Sequence, residues 1–193
     1  MRHFLVLFDD LSIDKASVKA GTNSPEVITA CRCVNVGLFI SGDLRRDVTV
    51  SIAKGSLDDL IVFSFAGNTL KRVSPDERSI SFFLLKADQV GENLILDESK
   101  TLDNGIVVNR TGLMNFIERC SPVRVFVAHD EEEPEAMTPD IVADSLLVYP
   151  VGNRTTFIST RFVRDYVTLS YTPHPERFIL DINMLEDSRE IDS

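Results

Sequence analysis

A short run without a single polar residue, Phe4-Leu5-Val6-Leu7-Phe8, constrains the fold of this chain more than any other stretch. Five apolar residues in succession leave neither face of a strand for water, so the segment reads as a core strand covered on both sides. Val123–Val127 repeats the pattern as a largely apolar run. Strands of that kind belong to mostly parallel sheets, and parallel neighbours need helical crossovers. Helix starts follow in the right places. Ser24-Pro25-Glu26 supplies an N-cap and an N1 proline for a helix to about Ile40. Ser74-Pro75-Asp76-Glu77 combines a capping box with proline at the first helical position, which predicts a helix through about Leu85. Further strands are expected at Val48–Ile52, Asp59–Phe65, Gly105–Val108 and Ser145–Tyr149, and further helices at Thr111–Glu118, Thr138–Ala143 and Thr156–Leu169. The expectation is an α/β fold with a parallel sheet flanked by helices.

A chain of 193 residues, 44% of them hydrophobic, suits one core better than two. A net charge of −10 argues against a generally basic nucleic-acid coat, while leaving room for a local basic face. No stretch approaches the roughly 20 apolar residues that a bilayer span requires. Met1-Arg2-His3 ahead of the apolar run mimics a short signal peptide, but Asp9-Asp10 ends the run early and no small-residue cleavage site follows. The three cysteines, Cys31, Cys33 and Cys120, make no disulfide framework and fit a reducing, cytoplasmic setting. Cys31-Arg32-Cys33 has no second ligand pair, so no metal site is expected.

In open sheets of this class ligands collect beyond the carboxyl ends of the strands. That rule nominates the turns Ala128–Pro134 and Pro150–Thr155. Dinucleotide, P-loop, zinc-protease and nucleophile-elbow motifs are all missing. His3, His129 and His174 are too scattered for a triad, and His129 is either a ligand contact or a surface loop histidine. Arg45-Arg46-Asp47 is either a phosphate clamp or a solvated turn in which Asp47 pairs with a neighbouring arginine. Lys71, Arg72 and Arg78 bracket the second helix start, where free N–H groups favour anions unless Asp76 and Glu77 fill that role.

The run Cys31-Arg32-Cys33-Val34 through Phe39-Ile40-Ser41 to Asp43-Leu44-Arg45-Arg46-Asp47-Val48 resembles the archaeal tRNA pseudouridine N1-methyltransferase family. Val73-Ser74-Pro75-Asp76-Glu77-Arg78 resembles the same family at the expected distance downstream. The likeness covers roughly residues 1–170 in layout and is strongest over 31–48 and 71–80. It implies a SPOUT-class fold with a C-terminal trefoil knot, acting as a homodimer on tRNA with S-adenosylmethionine as methyl donor. It places the donor in loops 127–130, 151–153 and 157–160, with Val127, Ala128, His129, Val151, Gly152, Phe157 and Ser159 as contacts. It makes Arg45, Arg46, Lys71, Arg72 and Arg78 the RNA contacts, and Glu26 and Arg45 the candidates for handling the target base.

The sequence departs from that pattern in four places. Relatives carry Gly-Arg-apolar-Asp before the paired cysteines, and this chain has Pro25-Glu26-Val27-Ile28. The first donor loop reads Ala128-His129-Asp130, where relatives have a small residue followed by Asp-His. Arg161 stands where a knot cysteine is common, and residues 172–193 form an extension that ends in an acidic tail, Glu186–Ser193. Residues 1–171 are therefore expected to form one methyltransferase-like domain. Three functions compete: an RNA methyltransferase, an inactive relative that binds RNA or protein, and an unrelated α/β enzyme for a phosphorylated metabolite.

Overall fold

A computed structural model describes residues 1–129, 144–152, 167–170 and 174–191. The first half of the chain runs β1 (Arg2–Phe8), α1 (Lys15–Ala20), α2 (Pro25–Leu38), β2 (Phe39–Ile40), β3 (Asp43–Leu44), β4 (Val48–Ser56) and β5 (Asp59–Ala66). It continues through α3 (Glu77–Gly91), β6 (Ser99–Thr101), β7 (Val107–Thr111), α4 (Leu113–Cys120) and β8 (Arg124–His129). The described segments beyond are β9 (Ser145–Pro150), β10 (Val167–Ser170) and α5 (Pro175–Ile191). Among the described residues, eight strands form one sheet in the order β10-β8-β9-β1-β4-β5-β7-β6.

The apolar run predicts its own position. β1 sits mid-sheet, parallel to β9 on one side and β4 on the other. Because side chains alternate along a strand, Phe4, Val6 and Phe8 face one core and Leu5 and Leu7 the other. The first core takes Val27, Ala30 and Val34 from α2, Leu84 from α3, and Phe178, Ile179 and Ile182 from α5. The second takes Leu113, Phe116 and Ile117 from α4 together with Val125, Val127, Leu146 and Val148.

The expectation of a mostly parallel sheet holds for four of the seven strand pairings. β10, β8, β9, β1 and β4 are parallel, whereas β5, β7 and β6 are added antiparallel. The cause is a tight reversal: Ser56 pairs with Asp59 across Leu57-Asp58, and a hairpin this short can join only antiparallel strands. Several boundaries also move. α2 stops at Leu38 and Phe39–Ile40 becomes a short strand paired with Asp43–Leu44. Asp76, rather than Ser74, caps α3, its carboxylate accepting from Ser79 N at 2.8 Å. α1, unforeseen, is bracketed by the Asp14 cap and left-handed Gly21. Residues 167–169, expected in a helix, pair with β8 as β10. The expected helix at 138–143 and residues 156–166 lie outside the described residues. Residues 175–191, part of the extension, are helical, and that helix buries Phe178, Ile179, Ile182 and Asn183.

His3 bridges the two halves of the sheet. Its Nε2 lies 2.7 Å from Ser51 Oγ, which lies 2.7 Å from Ser64 Oγ, and its ring meets Phe116 edge-on at 5.7 Å. Burial pushes its pKa down to about 4 from 6.5. The unfolded chain therefore binds the proton first, so the stability is present above pH 6.5 and is lost as pH falls towards 4. Some of the residue still meets solvent, which moderates the effect to about 1–3 kcal/mol. Urea unfolding of wild type should weaken by that amount between pH 7 and pH 4.5 relative to His3→Gln, which keeps a partner for Ser51 but does not titrate.

Candidate functional site at the carboxyl edge

Parallel register brings the ends of β8, β9 and β1 to one edge. Val127 pairs with Val148, Pro150 with Leu7, and Val151 N donates to Leu7 O at 2.8 Å. Val127 and Ala128 are buried, so at this edge they offer backbone groups rather than side chains. Gly152 follows with φ +82°, a conformation that side chains rarely adopt. A Cβ at Gly152 would fall 2.5 Å from Asp9 Oδ2. The loop after β9 thus passes beside the Asp9 side chain of the loop after β1, and the positive φ favours glycine at this position. Asp9 and Asp10, both exposed, bring carboxylates to this edge. Sequence reasoning used them only as the end of an apolar run. Their signal was positional: the first polar residues beyond a buried parallel strand. His129 ends β8 at the same edge, while Asp130, Asn153, Phe157, Ser159 and Arg161 lie outside the described residues.

Arg45-Arg46-Asp47 lies at the other edge, where Asp47 O accepts from Arg2 N at the start of β1. Seven residues of strand separate the two edges, roughly 20 Å. The three charged residues do different things. Arg45 completes the end of α2, whose last carbonyls lack intrahelical donors. Its backbone N–H donates to Leu38 O at 2.8 Å, and its guanidinium reaches Val36 O and Phe39 O at 3.4 Å each. Asp187 of α5 then holds that guanidinium at 2.6 Å, leaving the Arg45 side chain 10% exposed. Asn183 donates to Gly37 O at 3.1 Å, so α5 and Arg45 together cap α2. Arg46 points outward, bonded to Gly67 O at 3.2 Å and Asp43 at 3.0 Å. Asp47 pairs with Arg2, distant in sequence, at 2.9 Å. Burial pushes the Asp47 carboxyl up, but the hydrogen bond and charge of Arg2 outweigh it and hold the pKa below the ordinary value.

Glu26 is exposed in the first turn of α2, at the end of that helix opposite Arg45. The two candidates for base handling are therefore about 18 Å apart within one chain, at 1.5 Å of rise per helical residue. Lys71, Arg72 and Arg78 are all exposed around α3. Arg72 holds a left-handed backbone, φ +59°, and lines a cleft between α3 and β6, whereas Arg78 lines a second cleft between α3 and α1. Among the described residues no three His, Cys, Asp or Glu side chains gather as a metal group, and no helix is long and apolar enough to cross a membrane.

Residues 1–142 match the family described as "Putative SAM-dependent RNA methyltransferase". The chain belongs to this family. A tRNA (pseudouridine(54)-N(1))-methyltransferase of Methanococcus maripaludis is 38% identical over 107 residues, covering 54% of this chain and 52% of that one. One of the same name from Haloferax volcanii is 31% identical over 141 residues, covering 69% of this chain and 68% of that one. The chain spans about half the length of the first of these relatives. The structure is also similar to Archaeoglobus fulgidus Nep1 bound to S-adenosylhomocysteine, with a TM-score of 0.58, 9% identity, and coverage of 97% of this chain and 98% of that one. A likeness at that identity shows a shared fold.

The charged turn separates by stability. Asp187→Ala strands a nearly buried guanidinium and should cost about 1–2 kcal/mol in urea unfolding, short of a fully buried pair because Asp187 is half exposed. Arg46→Ala, in an exposed pair, should stay within about 0.5 kcal/mol. Equal costs would contradict the capping role.

Proposed function

We propose that this chain methylates N1 of a pseudouridine in tRNA, using S-adenosylmethionine, in the cytoplasm. The observation that carries the reading is the left-handed Gly152 pressed against Asp9 where three parallel strands end, in a chain of this family. S-adenosylmethionine supplies a methyl group on a sulfonium, which leaves as a neutral thioether. The edge fits such a group: a close glycine turn, backbone groups at Val127 and Ala128, an apolar wall at Val151, and carboxylates for positive charge. Val127, Ala128, His129, Val151 and Gly152, with Phe157 and Ser159, would hold it, and a C-terminal trefoil knot is part of this proposal.

The chain's own contribution is mostly positioning, since holding the nucleophilic nitrogen in line supplies much of the rate. As the N1–methyl bond forms and the sulfur–methyl bond breaks, the N1 proton must leave. Asp9 or Asp10 at this edge, or Glu26 at the start of α2, can accept it. Arg46, with Lys71, Arg72 and Arg78, would grip phosphates. Because Arg45-Arg46 lies about 20 Å from Gly152 within one chain, the turn serves this site only from a second copy. In the homodimer that the reading includes, each protomer would lend Arg46 of this turn to the other's methyl donor.

One observation favours a second reading, a relative that binds RNA without methyl transfer. At positions 25–28 the chain builds a helix start, with Val27 buried beneath it. Nucleoside analysis separates the two. Unmodified tRNA carrying pseudouridine, incubated with protein and methyl-labelled S-adenosylmethionine, should yield N1-methylpseudouridine by liquid chromatography and mass spectrometry. Labelled product at another atom would shift the substrate assignment, and tRNA binding without product would favour the second reading.

A further inference from the structure

The two clefts beside α3 share a wall and a charge. One, of about 590 Å³, lies between α3 and β6 and is lined by Arg72, Phe83, Lys86, Lys100 and Asn104 among others. The other, also about 590 Å³, lies between α3 and α1 and includes Lys15, Lys19, Arg78, Phe82 and Lys86. Lys86 and Gln89 line both, so α3 is a ridge with a groove on each side. Arg78, Phe82 and Lys86 recur every four residues and therefore stand in one exposed stripe along that ridge.

Three features set this surface apart on a chain of net charge −10. First, Lys15, Lys19, Arg72, Arg78, Lys86 and Lys100 form no ion pair with a described carboxylate, while Arg2, Arg45, Arg110 and Arg119 all do. Only Asp76 and Asp103 line the clefts as acids, and the Asp76 carboxylate is committed to the Ser79 N–H. Second, Phe82 is 45% exposed at the crest, with Lys86 Nζ 4.5 Å from its ring centroid. An exposed aromatic flanked by cations offers stacking and charge together. Third, Arg72 and Asn104 mark the inner groove as constrained. Arg72 keeps its left-handed backbone, and Asn104 is 5% exposed with an Nδ2 that has no partner among the described residues.

The ridge also leads to the right place. Asp88 of α3 meets Lys54 at 2.5 Å, and Lys54 pairs with Phe8, the last residue of β1. The Lys86 end of the ridge is thus level with the carboxyl edge, two to three strands away from β1, or about 10–14 Å. On the other side, only the six-residue step from Asp9 to Lys15 joins that edge to α1. No such route links the edge to Arg45 and Arg46 of the same chain.

We infer that the α3 ridge and its two grooves are the surface on which RNA docks, with Phe82 stacking against an unpaired base and the six cations tracking the phosphates. The inference rests on the methyltransferase reading and names the surface, within one protomer, that leads RNA to the methyl donor. It assigns Phe82, Lys86, Lys15, Lys19 and Lys100 to recognition, and makes the Arg45-Arg46 turn a contact from the second copy only.

The test uses full-length protein and unmodified tRNA, measured by fluorescence anisotropy across a salt series and by methyl transfer. Lys15→Glu/Lys19→Glu/Lys86→Glu should weaken binding about 100-fold at moderate salt. It should also flatten the slope of log affinity against log salt by about 0.7–0.9 for each phosphate the surface no longer neutralises. Phe82→Ala should weaken binding by about tenfold with little change in that slope. Arg177→Glu, a single reversal on α5, is the control and should leave binding within twofold. S-adenosylhomocysteine affinity and kcat at saturating tRNA should be unchanged in all of them, so that the loss appears in KM. Wild-type methylation with an unaltered KM in the triple variant overturns the surface alone. Binding through this surface without product overturns the activity alone. Retention of an acidic protein or anionic vesicles, with no tRNA binding by wild type, overturns both.

Discussion

The parallel pairing of β1 with both β9 and β4 is the constraint on which the rest of this molecule depends. A strand in that position has no exposed face, which is why Phe4–Phe8 carries no polar residue and supplies both cores at once. Parallel neighbours must also end together. The loops after β1, β8 and β9 therefore gather at one edge, and backbone groups left unpaired by the sheet face the same space. Gly152 and Asp9 meet there because each closely follows one of two strands paired in parallel.

How much of this was legible depended on whether the signal was local. The apolar run, the Ser24-Pro25 start and the two turns nominated at strand ends are local, and the structure brings the described parts of those turns to one edge. The antiparallel half of the sheet was not legible, because Leu57-Asp58 lacks the glycine or asparagine that announces a tight hairpin. α1 escaped for a related reason: six residues between Asp14 and Gly21 are too few to show a helical period. The C-terminal helix had no reading of its own in the sequence, where residues 172–193 stood only as an extension with an acidic tail. Its acidic residues are real, but Phe178, Ile179 and Ile182 lie beneath them, and Asp187 commits its charge to Arg45.

The Arg45-Arg46-Asp47 turn shows why a sequence signature and a contact surface need not coincide. Asp47 neutralises Arg2, Arg45 caps α2 and anchors α5, and Arg46 alone keeps an exposed guanidinium. Two of three charges are committed to holding the fold, so the turn identifies the scaffold more than it offers cations to a ligand. Most of the described cations without an ion-pair partner among the described carboxylates lie around α3. The proposed RNA surface therefore rests on availability of charge rather than on resemblance, and it reconciles a basic face with an acidic chain.

The methyltransferase reading requires that the carboxyl edge bind the methyl donor. Calorimetric titration of the folded chain with S-adenosylmethionine measures that directly. The account predicts saturable binding of one molecule per chain, weakened at least about tenfold by Gly152→Val, whose side chain would crowd Asp9. A folded chain that takes up no S-adenosylmethionine, or a Gly152→Val variant that binds it as tightly as wild type, would contradict it.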